Sequence, residues 1–189
     1  MKRIAIFASG SGTNAENICE YFADRNDVDV SLIFTNNPMA GVIKRALKLQ
    51  IPVVFFDKKT FYHTGKIPQI LQNEGIDLVV LAGFMMLVPP MLVEVFPTKM
   101  INIHPALLPK YGGKGMYGHF VHEAVVNARE TQSGITIHYV NEHYDEGDII
   151  FQATCNINPA DTPEDVARKV HRLEYEHYPR VIDEILMRR

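Results

Sequence analysis

The sequence predicts an α/β fold: an open, mostly parallel, Rossmann-like sheet with helices on both faces and a C-terminal β-hairpin extension. Three observations predict it. Five short apolar runs, at residues 3–8, 28–34, 51–56, 76–82 and 99–104, are nearly continuous, as in strands covered on both faces. Helical spacing falls between them, and strand alternating with helix implies parallel crossovers. After residue 130 the pattern changes to simple alternation, which predicts antiparallel pairing.

Taken in order, the first strand runs into Ser9-Gly10-Ser11-Gly12-Thr13-Asn14 and then a helix whose Ala15, Ile18, Cys19 and Phe22 share one face. Val42, Ile43, Ala46 and Leu47 make a second stripe, ended by Gln50 and Pro52. Ser133 to Val140 alternates, a turn rich in charge and glycine follows, and Asp148 to Ile157 reads as its partner strand. Thr162 caps a last helix with Pro163 at its first position and Glu164 and Asp165 in its acidic first turn, and a kink is expected at Pro179. Residues 1–189 carry no repeat, low-complexity tract or linker, so a single domain is expected.

With 47% apolar residues the chain can bury one sizeable core, and a net charge of -3 with a pI near 6.2 lacks the basic excess of nucleic-acid binders. Small-molecule partners are expected, with no nucleic acid and no membrane. An anionic substrate must then be held by local donors. The N-terminal apolar stretch is too short for a signal peptide, and Cys19 and Cys155 match no metal or redox spacing. A cytoplasmic enzyme is expected.

The turn from Ser9 to Asn14 places free helix-start amides at the carboxyl edge of the sheet, a setting that suits a phosphate, although a plain strand-to-helix turn has the same outline. Bulk at Gly12 is expected to obstruct those amides. Gly10, Gly12 and Ala15 satisfy a dinucleotide fingerprint, but the end of the second strand reads Phe34-Thr35-Asn36-Asn37-Pro38, without the acid that would hold a ribose. A lone phosphate fits better than a nicotinamide dinucleotide.

Asn102 and His104 fall on one face at the end of the fifth strand, where open α/β sheets place their ligands. A satisfied core hydrogen bond is the alternative. Taken alone, His138 reads as a residue of a solvated strand face. In the turn that follows, spacing does not choose among Glu142, Asp145, Glu146 and Asp148. His104, His138 and a carboxylate lack zinc-ligand spacing, and no metal is expected.

Together, Ser-Gly-x-Gly-x-Asn from Ser9, Leu81-Ala82-Gly83-Phe84-Met85, Asn102-Ile103-His104-Pro105-Ala106-Leu107-Leu108-Pro109-Lys110 and Asp145-x-Gly147 resemble the folate-dependent formyltransferases. The likeness runs from residue 3 to about residue 186. It implies the formyltransferase fold, with 10-formyltetrahydrofolate as one-carbon donor. The phosphate loop and the chain length point to the members that formylate the glycine amine of N1-(5-phospho-D-ribosyl)glycinamide in purine biosynthesis. Members acting on methionyl-tRNA, or hydrolysing the folate, add a further domain. A monomer or weak homodimer is expected.

The resemblance assigns the substrate phosphate to Gly12, Thr13 and Asn14, and the ribose and glycinamide end to His171, Arg172, Leu173 and Glu174. It assigns the folate to Met85, Met86, Leu87 and Val88, to Asn102, and to the loop Asn141, Glu142, His143, Tyr144 and Asp145. Asn102, His104 and Asp145 become the catalytic group, with His138 supporting. In that scheme Asn102 and a protonated His104 donate to the oxyanion, His104 protonates the leaving nitrogen, and Asp145 raises the histidine pKa and orients a water. The chain departs from the family where Met86 replaces a common basic residue and where no arginine lies near Thr64 to meet the folate tail. The glycine-rich segment Tyr111 to Gly118 replaces a shorter stretch and is read as a lid over the site, with a slack loop as the alternative.

Overall fold

The computed structural model describes residues 1–188. Its elements are β1 (Lys2–Phe7), α1 (Thr13–Phe22), β2 (Val28–Thr35), α2 (Gly41–Lys48), β3 (Val53–Phe55), α3 (Lys58–His63), α4 (Lys66–Asn73), β4 (Leu78–Leu81), α5 (Pro90–Val95), β5 (Met100–His104), α6 (His119–Asn127), β6 (Gln132–Tyr139), β7 (Ile149–Asn156) and α7 (Pro163–Met187). Among the described residues the strands form one sheet in the order β3-β2-β1-β4-β5-β6-β7. Pairs from β3 to β5 are parallel, while β5–β6 and β6–β7 are antiparallel. The chain winds outward through β2 and β3, then restarts at β4 on the other side of β1. That reversal opens a crevice at the carboxyl ends of β1 and β4.

Period-two alternation divides the core. Ile4, Ile6, Ala8, Val80, Ile101 and Ile103 face α1, α2 and α7, and Ala5, Phe7, Phe34, Val79 and Met100 face α3, α4 and α5. On the second face the Phe7 and Phe34 rings stack with centroids 4.5 Å apart. Burial on both faces is why these runs read as continuously apolar.

Three elements differ from expectation. Of the run 51–56, only Val53–Phe55 is strand; it forms the sheet edge, and Phe55 is exposed. The α2 stripe is narrower than expected, with Val42 and Ala46 buried and Leu47 exposed. In β6 no solvated face remains along Ser133 to His138. The segment after β5 folds over that face: the Thr136 hydroxyl donates to Ala106 O at 2.7 Å and accepts from Leu108 N at 3.0 Å.

Helix α7 opens with the expected capping box between Thr162 and Asp165 and continues through Pro179. Proline donates no backbone hydrogen bond, which frees the carbonyl four residues earlier. That carbonyl, of Tyr175, accepts from the Asn17 amide of α1 at 3.0 Å. Tyr178, fully buried, donates its hydroxyl to Leu81 O at 2.9 Å, tying α7 to the end of β4. Tyr178→Phe is expected to cost about 1 kcal/mol, since it removes a buried hydrogen bond and keeps the ring. Urea unfolding checks this, with turnover of the folded variant expected to change little.

Candidate active site

The crevice at the switch point is a cavity of about 480 Å³ bounded by the turns after β1, β4 and β5. After β1, Gly12 caps α1 at φ 78°. The first helical bond runs from Glu16 N to Gly12 O, so the amides of Thr13, Asn14 and Ala15 have no helical acceptor. These amides and the helix dipole favour an anion. Gly12 has a second job that the sequence did not disclose. A Cβ there would lie 2.5 Å from Val42 Cβ and 2.6 Å from Val42 Cα, so bulk at Gly12 displaces α2 as well as blocking the amides. Ser9 ties the floor together, donating to Asn36 Oδ1 at 2.7 Å and accepting from Met85 N at 3.1 Å. Asn36, near the place where a dinucleotide site needs an acid, is thereby engaged.

Glu174 of α7 is 4% exposed and reaches the same end of the cavity. Its Oε2 accepts from Asn14 Nδ2 and from His171 Nδ1, each at 2.8 Å. The carboxylate beside His171 raises that imidazole above its ordinary pKa, against the effect of burial. Of the four α7 residues expected here, His171 and Glu174 line the cavity. Arg172 is exposed and Leu173 packs on the core.

At the other end, β5 presents Asn102 directly opposite His138 of β6. The His138 Nδ1 lies 2.8 Å from Tyr139 O, and a carbonyl only accepts, so Nδ1 carries the hydrogen. Nε2 then accepts from Asn102 Nδ2 at 3.1 Å, which orients the amide and leaves it one free hydrogen. Asp145 selects itself from the turn carboxylates by position. Its Oδ2 lies 3.5 Å from His104 Nδ1 and its Oδ1 lies 3.6 Å from His138 Nε2. It also accepts from Gly113 N at 2.9 Å. Burial pushes the Asp145 carboxyl up, but His138, His104 and the Gly113 amide outweigh this and hold it below its usual 3.8.

His104 departs from expectation. It is 3% exposed, and burial lowers its pKa below 6.5 despite the opposing pull of Asp145. The ring is therefore neutral at neutral pH, not the imidazolium that the sequence reading required. His138 is likewise corrected, from a solvated face to 2% exposure.

Met85, Tyr144 and Asp145 line the cavity. Met86 packs on the core, Leu87 O accepts from the Tyr62 hydroxyl at 3.1 Å, Val88 is buried, and Asn141, Glu142 and His143 lie outside the lining. The glycine-rich segment is fastened at its start through Gly113 and lines the cavity from Gly113 to Gly118. Among the described residues no group of three or more His, Cys, Asp or Glu is placed to hold a metal ion, and no helix is long and apolar enough to cross a membrane.

The family described as formyl transferase matches residues 2–182. Phosphoribosylglycinamide formyltransferase of Bacillus subtilis (strain 168) is 37% identical, covering 98% of this chain and 95% of its own. The chloroplastic phosphoribosylglycinamide formyltransferase of Arabidopsis thaliana is 42% identical over 97% of this chain. The chain spans 65% of the length of that relative and 60% of the one from Vigna unguiculata. The crystal structure of phosphoribosylglycinamide formyltransferase from Bacillus halodurans superposes with a TM-score of 0.88 at 39% identity, covering 98% of this chain and 95% of that one.

His122 also lines the cavity, and the sequence reading passed over it. Its signal was a histidine between Val121 and Val125 on the buried stripe of α6. It is 2% exposed, its Nδ1 is enclosed without a hydrogen-bond partner, and burial together with the nearby His171 pushes its pKa from 6.5 to about 4. A depressed histidine binds its proton more readily in the unfolded chain. Its contribution to stability is therefore lost as pH falls from 6.5 toward about 4. His122→Phe is expected to flatten that loss, measured as the change in urea midpoint between pH 7 and pH 5. An unchanged difference would show that His122 does not titrate in this window.

Proposed function

The chain belongs to the formyl transferase family, and we propose that it transfers the formyl group of 10-formyltetrahydrofolate to the glycine amine of N1-(5-phospho-D-ribosyl)glycinamide, in purine biosynthesis. The observation that carries this reading is one cavity with two differently equipped ends. An anion-ready helix start beside Glu174 occupies one, and the Asn102–His104–Asp145 group the other. The relatives of matching length support the same acceptor.

In this reading the amides of Thr13 and Asn14 hold the acceptor phosphate, Glu174 and His171 face its ribose and glycinamide, and Met85, Tyr144 and Asp145 border the folate. The neutral amine attacks the formyl carbon. The free hydrogen of the Asn102 amide meets the developing oxyanion, in a site where fixed donors are worth more than water. His104 donates Nε2–H to Tyr111 O at 2.8 Å, so its bare nitrogen is Nδ1, on the Asp145 side. Starting neutral, the ring takes the amine proton at Nδ1, is stabilised as a cation by Asp145, and returns the proton to the leaving folate nitrogen. A neutral start suits the first of these steps, because only an unprotonated imidazole can take the amine proton.

Purified protein is expected to form tetrahydrofolate only when the ribonucleotide acceptor is present, with or without a chelator, because the donor is already activated. Formate release at equal rates with and without acceptor points instead to a hydrolase. Saturable NAD binding in the cavity points to a dinucleotide protein.

Asp145→Asn keeps the shape and removes the charge. Its kcat is expected to fall by roughly two to four orders of magnitude with smaller changes in KM. His104, deprived of the carboxylate that pulls its pKa upward, should titrate still lower by NMR. Near-normal turnover, combined with a large loss in Glu142→Gln or Asp148→Asn, would give the role to another carboxylate.

A further inference from the structure

The ring of His104 is set by a contact outside the reacting group. Tyr111 sits at φ 57°, a left-handed conformation that is strained for a non-glycine residue. In that conformation its carbonyl lies 2.8 Å from His104 Nε2. Strain of this kind persists only where surrounding contacts enforce it. One such contact is visible: the Tyr111 hydroxyl donates to Glu130 Oε1 at 2.9 Å, and Glu130 also pairs with Lys110 Nζ at 2.8 Å. Glu130 stands between α6 and β6, on a chain segment separate from the loop that it holds. Lys110 and Tyr111 hold its carboxyl below the usual range, so it is a charged acceptor, and burial and Glu130 raise the Tyr111 phenol, so it remains a donor.

Resting on the formyl-transfer reading, we propose that Tyr111 and Glu130 are positioning residues for the reaction. By holding the Tyr111 hydroxyl, Glu130 keeps the Tyr111 carbonyl on His104 Nε2, which fixes the ring's hydrogen there and leaves Nδ1 bare for the proton of the attacking amine. The other ring edge decides the tautomer in this way because a carbonyl accepts and never donates. Without the latch the hydrogen is free to move to Nδ1, toward Asp145, and the ring then presents no base to the amine. Besides Tyr111, the ionisable groups acting on His104 are Asp145 from the loop before β7, His138 from β6, Glu174 from α7 and His122 from α6. The latch changes none of these.

The experiment compares Tyr111→Phe, Glu130→Ala, Glu130→Gln and Lys110→Met. The first two are expected to lower kcat about tenfold with KM for both substrates within about twofold. Glu130→Gln, whose amide oxygen still accepts, should keep most of the activity, and Lys110→Met should behave as the parent protein. Nitrogen NMR of His104 in the unliganded protein should show the Nε2–H form in the parent and in Glu130→Gln. A shift toward the Nδ1–H form is expected in Tyr111→Phe and Glu130→Ala, with a lower pKa because the carbonyl acceptor is gone. Unchanged kcat in Tyr111→Phe overturns the proposal. So does a fall in kcat matched by lost stability with no change in the His104 tautomer, since that pattern is purely structural. The NMR comparison needs no acceptor, so an inactive parent protein would refute the formyl-transfer reading while the tautomer result still decides the latch.

Discussion

Asp145 is a carboxylate with 11% side-chain exposure, and groups from separate parts of the chain converge on it there. An ion taken out of water needs partners or it neutralises. The Gly113 amide of the glycine-rich segment donates to Asp145 directly. His104 from the end of β5 and His138 from β6 bring ring nitrogens within 3.5 and 3.6 Å, where a proton gained by either ring would pair with it. Asp145 itself sits at φ 58°, a conformation that aspartate tolerates better than most residues. Much of the local architecture follows from this charge. β6 must run antiparallel to β5 so that His138 stands opposite Asn102, and the turn before β7 must fold back over the sheet end to deliver the carboxylate.

The second end of the cavity depends on a seam between the first and last helices. Asn14 and Asn17 of α1 both donate to α7, one to Glu174 and one to the carbonyl left free by Pro179. Farther along, Arg25 pairs with Asp183 at 3.2 Å. Proline inside a helix ordinarily removes a hydrogen bond and weakens it. Here the exposed carbonyl becomes an acceptor for the neighbouring helix, so the same residue that interrupts α7 helps to dock it. Docking sets Glu174 beside the free amides of Thr13 and Asn14, a juxtaposition joining residues 160 positions apart.

The strands and their parallel order were legible because burial on both faces leaves an unmistakable apolar run, and residues 4–8 and 78–82 are buried throughout. The segments at the ends of β1 and β5 that line the cavity stand out for a related reason, since glycine or polar side chains interrupt those runs where the sheet ends. What sequence periodicity did not reveal was tertiary cover. Thr136 and His138 alternate with isoleucines as solvated residues would, yet the segment after β5 supplies the partners of Thr136, and Asn102 and Asp145 close over His138. Gly12 illustrates the same gap: its conformational role was visible in the turn, but the approach of Val42 depends on how α2 returns across the sheet. The family register brought Asp145 forward from four local carboxylates, and three-dimensional position adds that it lies within 3.6 Å of both His104 and His138.

The charge state of His104 was misjudged because a nearby carboxylate was weighed without the water lost around the ring. Three imidazoles on one cavity show how the balance is struck. His171 makes a 2.8 Å hydrogen bond to Glu174, and its pKa is raised. His104 stands 3.5 Å from Asp145, beyond a good hydrogen bond, and burial prevails. His122 has no carboxylate in contact and falls to about 4. Burial opposes the charged form in each case, so the sign turns on whether a carboxylate makes a direct, charge-assisted bond. That ordering gives the two ends of the cavity different chemistry: a histidine whose charged form is favoured by Glu174 at one end, and a ring whose neutral form is favoured by burial at the other.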